Sequence, residues 1–316
     1  MKKLAVVALG GNALLRGDQV GTIEEQEMNS RKTLSNLLYL IKDGYDIVIT
    51  HGNGPQVGNI LMRNDAGEQL YDIAQMPLDI CVADSQGGIG YMLERVLRNL
   101  LQEHGINKEV VTPVTPVLVD KNDPAFQNPT KRVGKIYSKV QADKLAKDKK
   151  WNFKKSPKTE DGWRRVVPSP KPINVINYKV IDQLVKQGNI VIAVGGGGVP
   201  VYRDENNFLR PVEAVIDKDS ASAVLGGLIK ANEYYILTDV PFVYLNYNKP
   251  DQKKLEFIDK KDTEKYLEQG MFGEGNMSPK IRACLQFINN GGEKAVITEA
   301  TKLEDKSFGT KITMEY

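Results

Sequence analysis

Three asparagine- or glycine-rich turns, and three lysines set beside aspartate or proline, are the residues of this 316-residue chain best suited to chemistry. The turns are Gly10-Gly11-Asn12, His51-Gly52-Asn53-Gly54 and Gly195-Gly196-Gly197-Gly198. Glycine lets a backbone approach a ligand that a Cβ would hold off, and clustered N–H groups near helix starts bind anions. The lysines are Lys218 within Val215-Ile216-Asp217-Lys218-Asp219-Ser220, Lys131 after Asn128-Pro129-Thr130, and Lys280 after Met277-Ser278-Pro279. An ammonium aimed at a phosphate and held by a neighbouring carboxylate such as Asp219 suits polyanion chemistry. Each lysine taken alone also reads as a solvated surface residue, and each turn as a tight bend, so which polyanion is bound stays open. There is no G-x-x-x-x-G-K-[ST], which excludes a P-loop nucleotidase, and Gly52-Asn53-Gly54-Pro55-Gln56-Val57-Gly58 is one residue too long for the dinucleotide fingerprint.

Each turn closes an apolar run: Leu4-Ala5-Val6-Val7-Ala8-Leu9, Ile47-Val48-Ile49-Thr50 and Ile190-Val191-Ile192-Ala193-Val194. Such runs bounded by glycine read as strands buried on both faces. In open α/β sheets the carboxyl edge of those strands is where ligands bind. Thr22 and Glu25 form a capping box for a helix that Gly44 stops, and the chain enters another helix through Gly54-Pro55. Ser85-Gln86-Gly87-Gly88 is expected to precede a helix whose apolar face runs from Ile89 to Leu101. Residues 110–119 are strand-like, but Pro113 and Pro116 demote them to an edge or irregular piece. Residues 120–172 are rich in lysine and proline, carry Trp151 and Trp163, and read as an inserted, protruding subdomain. Helices at 180–187, 219–230, 263–269 and 279–289 then alternate with strands at 234–237 and 294–297, which implies a mainly parallel sheet.

The composition, 41% hydrophobic and 26% charged, is that of an ordinary soluble domain or two. A net charge of +3 does not indicate nucleic acid. The lysines between Lys144 and Lys158 are interspersed with acids, with few aromatics, and read as a solvated face rather than a nucleic-acid surface. Two cysteines, Cys81 and Cys284, build no disulfide framework and suit a reducing compartment. No run is long enough for a membrane span, and the apolar stretch after Lys3 is too short for a signal peptide, so a cytoplasmic protein is expected.

Longer stretches narrow the choice. Ala8-Leu9-Gly10-Gly11-Asn12-Ala13-Leu14, His51 through Gly58, Pro77-Leu78-Asp79-Ile80-Cys81 and Ser85-Gln86-Gly87-Gly88-Ile89-Gly90-Tyr91 closely resemble the carbamate kinases of the amino acid kinase family. So do Asp123-Pro124-Ala125-Phe126, Asn128-Pro129-Thr130-Lys131, Gly162-Trp163-Arg164-Arg165-Val166-Val167, Glu213 through Asp219 and Leu237-Thr238-Asp239-Val240, in order and nearly end to end. The resemblance implies a three-layer αβα sandwich with the amino acid kinase fold, residues 1–316 as one domain and 120–172 as its protruding subdomain, usually in a homodimer. It implies reversible phosphoryl transfer between ATP and carbamate, giving ADP and carbamoyl phosphate, and suggests ATP production in arginine breakdown by the deiminase pathway. Carried over by position, Gly10, Gly11, Asn12, Gly52 and Asn53 would hold the acceptor and the travelling phosphoryl group, with Lys131 covering it. Lys218 and Lys280 would stabilise that group and the nucleotide phosphates, oriented by Asp219, while Gly196, Thr238, Asp239, Tyr244 and Met277 would lie around the nucleotide.

Carbamate is already an oxyanion and needs no general base, which accords with only two histidines in the chain. Mg²⁺ would be carried by nucleotide phosphates and water, so no protein metal site is expected. Two departures stand out. Gly275-Asn276-Met277-Ser278-Pro279-Lys280 has serine where the family usually has glycine, which bears on how Lys280 is aimed, and residues 154–161 lack the family's usual acidic, glycine-rich approach to Gly162. Two rival readings are a related phosphotransferase with a carboxylate acceptor such as acetylglutamate, and a non-catalytic nucleotide-sensing homologue.

Overall fold

The first strand, Leu4–Leu9, lies inside the sheet with neighbours on both sides, and its alternation shows why. Ala5, Val7 and Leu9 enter one apolar cluster, and Val6 and Ala8 enter another on the opposite face. A strand buried on both sides cannot alternate apolar with polar, which accounts for the unbroken apolar run. The computed structural model describes residues 2–17, 19–156, 159, 161–273 and 277–315, and of Asn12 the backbone only.

Eight strands form the main sheet among the described residues, in the order Phe257–Asp259, Thr310–Thr313, Lys294–Thr298, Glu233–Leu237, Leu4–Leu9, Asp46–His51, Ile190–Ile192, Val110–Val111. All neighbours run parallel except Lys294–Thr298 against Thr310–Thr313. The helices are α1 (Ile23–Lys42), α2 (Gly54–Tyr71), α3 (Leu78–Glu103), α4 (Lys139–Lys149), α5 (Tyr178–Lys186), α6 (Lys218–Leu228), α7 (Lys260–Glu268) and α8 (Met277–Asn289). Leucines of α1 and α3 pack on one sheet face, and apolar residues of α5, α6 and α8 on the other, giving the αβα sandwich. Thr22 caps α1 in a capping box with Glu25.

The sequence reading is corrected in two places. Ser85-Gln86-Gly87-Gly88 does not precede a helix but lies inside α3, which begins at Leu78. The polar pair was mistaken for a boundary because both side chains find buried partners instead of solvent. Residues 110–119 split: Val110–Val111 edges the main sheet, and Pro116–Val119 joins a second, four-stranded sheet with Pro172–Val175, Val199–Arg203 and Leu209–Pro211. A third sheet of Lys131–Tyr137, Trp163–Val167 and Asn152–Lys155, with α4, forms a separate layer that meets α2. Tyr137 donates to Asp65 at 3.2 Å, Lys149 pairs with Glu68 at 2.6 Å, and the Arg165 guanidinium lies 3.9 Å from the Trp151 ring centroid. Tyr137 and Lys149 thus tie that layer to α2, and Trp151 stacks within it against Arg165 and, at 5.4 Å, Lys149.

Candidate active site

The strand order decides where the glycine turns fall. Leu9 pairs with Leu237 on one side and His51 on the other, and Ile49 pairs with Ile192, so four neighbouring strands end on one edge. The turns after Leu9, His51 and Ile192, and Thr238-Asp239 after Leu237, therefore lie side by side. They line a cleft of about 550 Å³. Around it stand Gly10, Gly11, Gly52, Asn53, Gly196, Thr238 and Asp239, with Lys131, Lys218, Asp219 and Lys280.

Two of the glycines are sterically required. A Cβ on Gly10 would lie 2.6 Å from the Leu237 carbonyl oxygen, and Gly196, at φ +65°, would place one 2.2 Å from the Asn53 side chain. Two residues before it Val194 adopts φ +54°, a left-handed conformation that a β-branched residue rarely takes and that costs about 1–3 kcal/mol. The residues that hold this turn come from inside α3 and its neighbour. Gln86 Nε2 donates to the Gly195 carbonyl at 3.0 Å, Gln86 Oε1 accepts from Thr115 N at 2.8 Å, and Thr115 Oγ1 accepts from Val194 N at 3.1 Å. Ser85 Oγ accepts from Asn53 Nδ2 at 2.8 Å and donates to the Val82 carbonyl at 2.6 Å. The Ser-Gln pair thus fixes the second and third turns, a role that its sequence position alone does not reveal.

At the floor of the cleft, Asp219 is 4% exposed and its two oxygens are divided between two lysines. Lys218 Nζ lies 2.5 Å from Oδ1 and Lys280 Nζ 2.9 Å from Oδ2. Burial alone would raise the Asp219 carboxyl, but the two ammonium groups outweigh it and hold it down at about 2. Burial pulls Lys218 the other way, below its ordinary value, and the nearby Lys280 charge adds to this against the pull of Asp219. One carboxylate between two ammonium groups leaves a net positive charge in a poorly solvated place, a setting that favours an added anion.

The lysine clamp is fixed from behind. Tyr234 donates its hydroxyl to the Asp219 carbonyl at 2.9 Å, and Ser222 donates to the Lys218 carbonyl at 2.6 Å while sharing a hydrogen bond with Thr50 at 2.7 Å. Asp217 caps α6, accepting from Asp219 N at 3.0 Å and Ser220 N at 3.1 Å, and its other oxygen lies 3.7 Å from Lys131 Nζ. Lys131 thereby reaches the cleft from the third sheet, with Arg132 beside it. Neither Arg132 nor the role of Asp217 as the link between α6 and Lys131 is legible from local pattern.

His51 is 1% exposed, and its Nδ1 lies 2.9 Å from the Gly52 carbonyl oxygen, so a neutral ring carries its proton there. Burial pushes its pKa down to about 4, with Lys218 contributing in the same direction. The ring is neutral and committed near neutral pH, a poor general base.

Other expected site residues lie elsewhere. Tyr244 is on the Val243–Leu245 strand with its ring 5.8 Å from that of Tyr247, and Met277 opens α8 and packs against the core; neither lines the cleft. The Asn12 side chain, and Gly275 and Asn276 before Lys280, lie outside the described residues, as do Pro157, Lys158 and Glu160. Ser278 donates to the Phe272 carbonyl at 2.6 Å, tying the start of α8 to the loop before it. Among the described residues no group of three metal-ligating side chains occurs, and Asp219 and Asp217 are already engaged by lysines and by the start of α6.

The model of the amino acid kinase family matches residues 3–299. The carbamate kinase of Thermococcus kodakarensis is 49% identical over 321 residues, covering 99% of this chain and 100% of that one. The carbamate kinase of Oenococcus oeni is 46% identical, covering 98% of each chain. Among solved structures, carbamate kinase from Giardia lamblia bound to AMP-PNP superimposes with a TM-score of 0.93 at 38% identity, over 99% of this chain and 98% of that one.

Proposed function

The chain belongs to the amino acid kinase family and, within it, to the carbamate kinases, and we propose that it transfers a phosphoryl group reversibly between ATP and carbamate. The observation that carries the mechanism is the Lys218–Asp219–Lys280 clamp, a net cation beneath glycine turns at the sheet edge. Transfer brings one anion in line towards another, and the barrier is chiefly charge repulsion and misalignment. Fixed ammonium groups and backbone N–H donors lower it without rearranging during the step.

In this reading the turns at Gly10-Gly11 and Gly52-Asn53 position carbamate and the travelling phosphoryl group. Lys218 and Lys280 neutralise charge on the phosphates, and Asp219 keeps them apart and aimed. Lys131 covers the reacting group from the third sheet, where its tie to Asp217 holds it over the cleft. Thr238, Asp239 and Gly196 lie on the nucleotide side. Mg²⁺ bound to the nucleotide phosphates would supply further neutralisation. No residue is needed to take a proton from carbamate, and neutral His51 serves to space the second turn from the third. The resemblance suggests ATP formation from carbamoyl phosphate during arginine breakdown as the direction in the cell, and a cytoplasmic homodimer as the form of the enzyme; no helix among the described residues is long and apolar enough to cross a membrane.

Purified protein mixed with ADP, Mg²⁺ and carbamoyl phosphate is expected to form ATP. A parallel acceptor panel of carbamate, acetate and N-acetylglutamate with ATP should show ADP release with carbamate foremost. Absence of turnover in both directions, with ATP still bound, would replace this reading with that of a nucleotide sensor.

A further inference from the structure

A second group of cations lies on the α1 face of the sheet, away from the clamp. A small cavity of about 90 Å³ is lined there by four lysines, Lys294, Lys302, Lys306 and Lys311, by the carboxylates of Asp43 and Asp305, and by Thr298. Two of these residues carry buried polar atoms with no hydrogen-bond partner: Lys311 Nζ and Thr298 Oγ1. Lys311 is 8% exposed and Thr298 2%. The strand register puts Lys311 opposite Val296, two residues from Thr298, and Val296 packs into the α1-side cluster, so all three share one face.

The acids nearby are already engaged. Glu233 accepts from Lys3 and from Lys294, each at 3.1 Å; Glu256 pairs with Lys254 at 2.5 Å; Asp305 accepts from Ser307; and Asp43 lies 3.6 Å from Lys306. Lys311 has no carboxylate within ion-pair distance among the described residues, only the Phe257 ring with its centroid 4.6 Å away. A ring face attracts the charge but accepts none of the three N–H bonds in the ordinary sense. Burial lowers the Lys311 ammonium, and the Lys294 charge adds to it. An unpaired buried ammonium beside an unpaired buried hydroxyl is unfavourable as it stands, and both would be satisfied by one acceptor-rich ligand.

We propose that the cavity lined by Lys311 and Thr298 is a second oxyanion site, separate from the catalytic cleft, that takes a single tetrahedral phosphate-type group. Lys311 and Thr298 are its buried donors, and the exposed rim carries Lys302 and Lys306 together with Asp305 and with Asp43, which lies 3.6 Å from Lys306. The volume admits several waters or one such group and is too small for a nucleoside. The group is either free inorganic phosphate or the terminal phosphate of a small ester. The site also backs onto the cleft, because the Thr298 carbonyl accepts from Thr238 N at 2.9 Å and Thr238 lines the cleft.

Crystals of the full chain soaked in selenate, read by anomalous diffraction, separate this site from the catalytic cleft in space. A peak within hydrogen-bond distance of Lys311 Nζ and Thr298 Oγ1 is expected in the wild type, and none there in Lys311→Met. In solution, inorganic phosphate and a simple phosphate monoester are titrated into wild type, Lys311→Met and Thr298→Val at physiological chloride. Each substitution should weaken one class of phosphate site by about tenfold or more. The monoester binding as tightly as phosphate would assign the terminal phosphate of an ester, and weaker binding would assign the free ion. Lys311→Met should melt at or above the wild type without phosphate, because an unpaired buried charge has been replaced by an apolar chain. It should then gain less on adding phosphate. Selenate confined to the catalytic cleft would overturn the proposal, as would a Lys311→Met protein that is less stable and responds fully to phosphate.

Discussion

Replacing Asp219 by asparagine tests the clamp with almost no change of shape. The native carboxylate gives one oxygen to Lys218 at 2.5 Å and the other to Lys280 at 2.9 Å. Asparagine keeps one acceptor and turns an NH₂ group towards the other lysine, leaving two ammonium groups in repulsion with side chains only 14% and 13% exposed. Breaking a buried ion pair from one side typically costs about 3–5 kcal/mol. Part of this is relieved as a lysine swings to solvent, so a loss near 3 kcal/mol in urea unfolding is expected, with an unchanged m-value. Linkage gives a compatible lower figure. A carboxyl held at about 2 rather than 3.8 contributes about 2 kcal/mol, present in full above pH 3.8 and lost as pH falls through 2. Misaimed lysines should lower ATP formation from ADP and carbamoyl phosphate by about 10²–10³-fold, the magnitude seen when a fixed transition-state donor is removed. Circular dichroism should show the fold retained. Turnover within about threefold of wild type, with unfolding free energy unchanged within about 0.5 kcal/mol, would refute a carboxylate that aims the two lysines.

Further outcomes follow from other parts of the site. Lys131→Ala should lower turnover by about 10²-fold while leaving the melting temperature nearly unchanged, because its link to Asp217 is long and partly exposed. Stability should fall as pH drops from 6.5 towards 4: the unfolded chain gains a proton on His51 that the native site refuses, worth about 3 kcal/mol across the window. Comparing urea unfolding of wild type and His51→Gln over that range checks this, since the variant should lack that part of the slope. Gln86→Leu leaves the Thr115 N–H without a partner and takes from the Gly195 carbonyl one of its two donors, the other being Gly198 N, and should cost about 1–3 kcal/mol by denaturant unfolding, with nucleotide affinity reduced alongside. Cys81 and Cys284 are both 0% exposed with thiols pushed up by burial, so a thiol reagent should label neither in the native protein and both in denaturant.

What was legible in the sequence was the local geometry with a strong physical signature. An apolar run ended by glycine can hardly be other than a strand buried on both faces, and Thr22 with Glu25 announced the start of α1 correctly. What could not be read was which residues those elements would bring together. Lys280 reaches the carboxylate of Asp219, which Lys218 shares, across 61 positions, and no periodicity encodes that meeting; it was expected only from the resemblance. Ser85 and Gln86 misled because polar residues followed by two glycines look like a boundary when their partners, Asn53, Thr115 and Gly195, are not in view. Arg132 was invisible for the same reason, being placed by the third sheet rather than by its neighbours. The common cause is that strand and helix periodicities specify which face a residue takes, while function depends on which edges meet. In this chain that meeting is set by the position of one strand. Leu4–Leu9 lies between Glu233–Leu237 and Asp46–His51, so the Thr238-Asp239 loop and the second glycine turn flank the first. A register slip of one residue there would turn every side chain of the strand to the other face and separate Gly10 from Leu237, so the burial of Val6 and Val7 on opposite sides is also what keeps the cleft assembled.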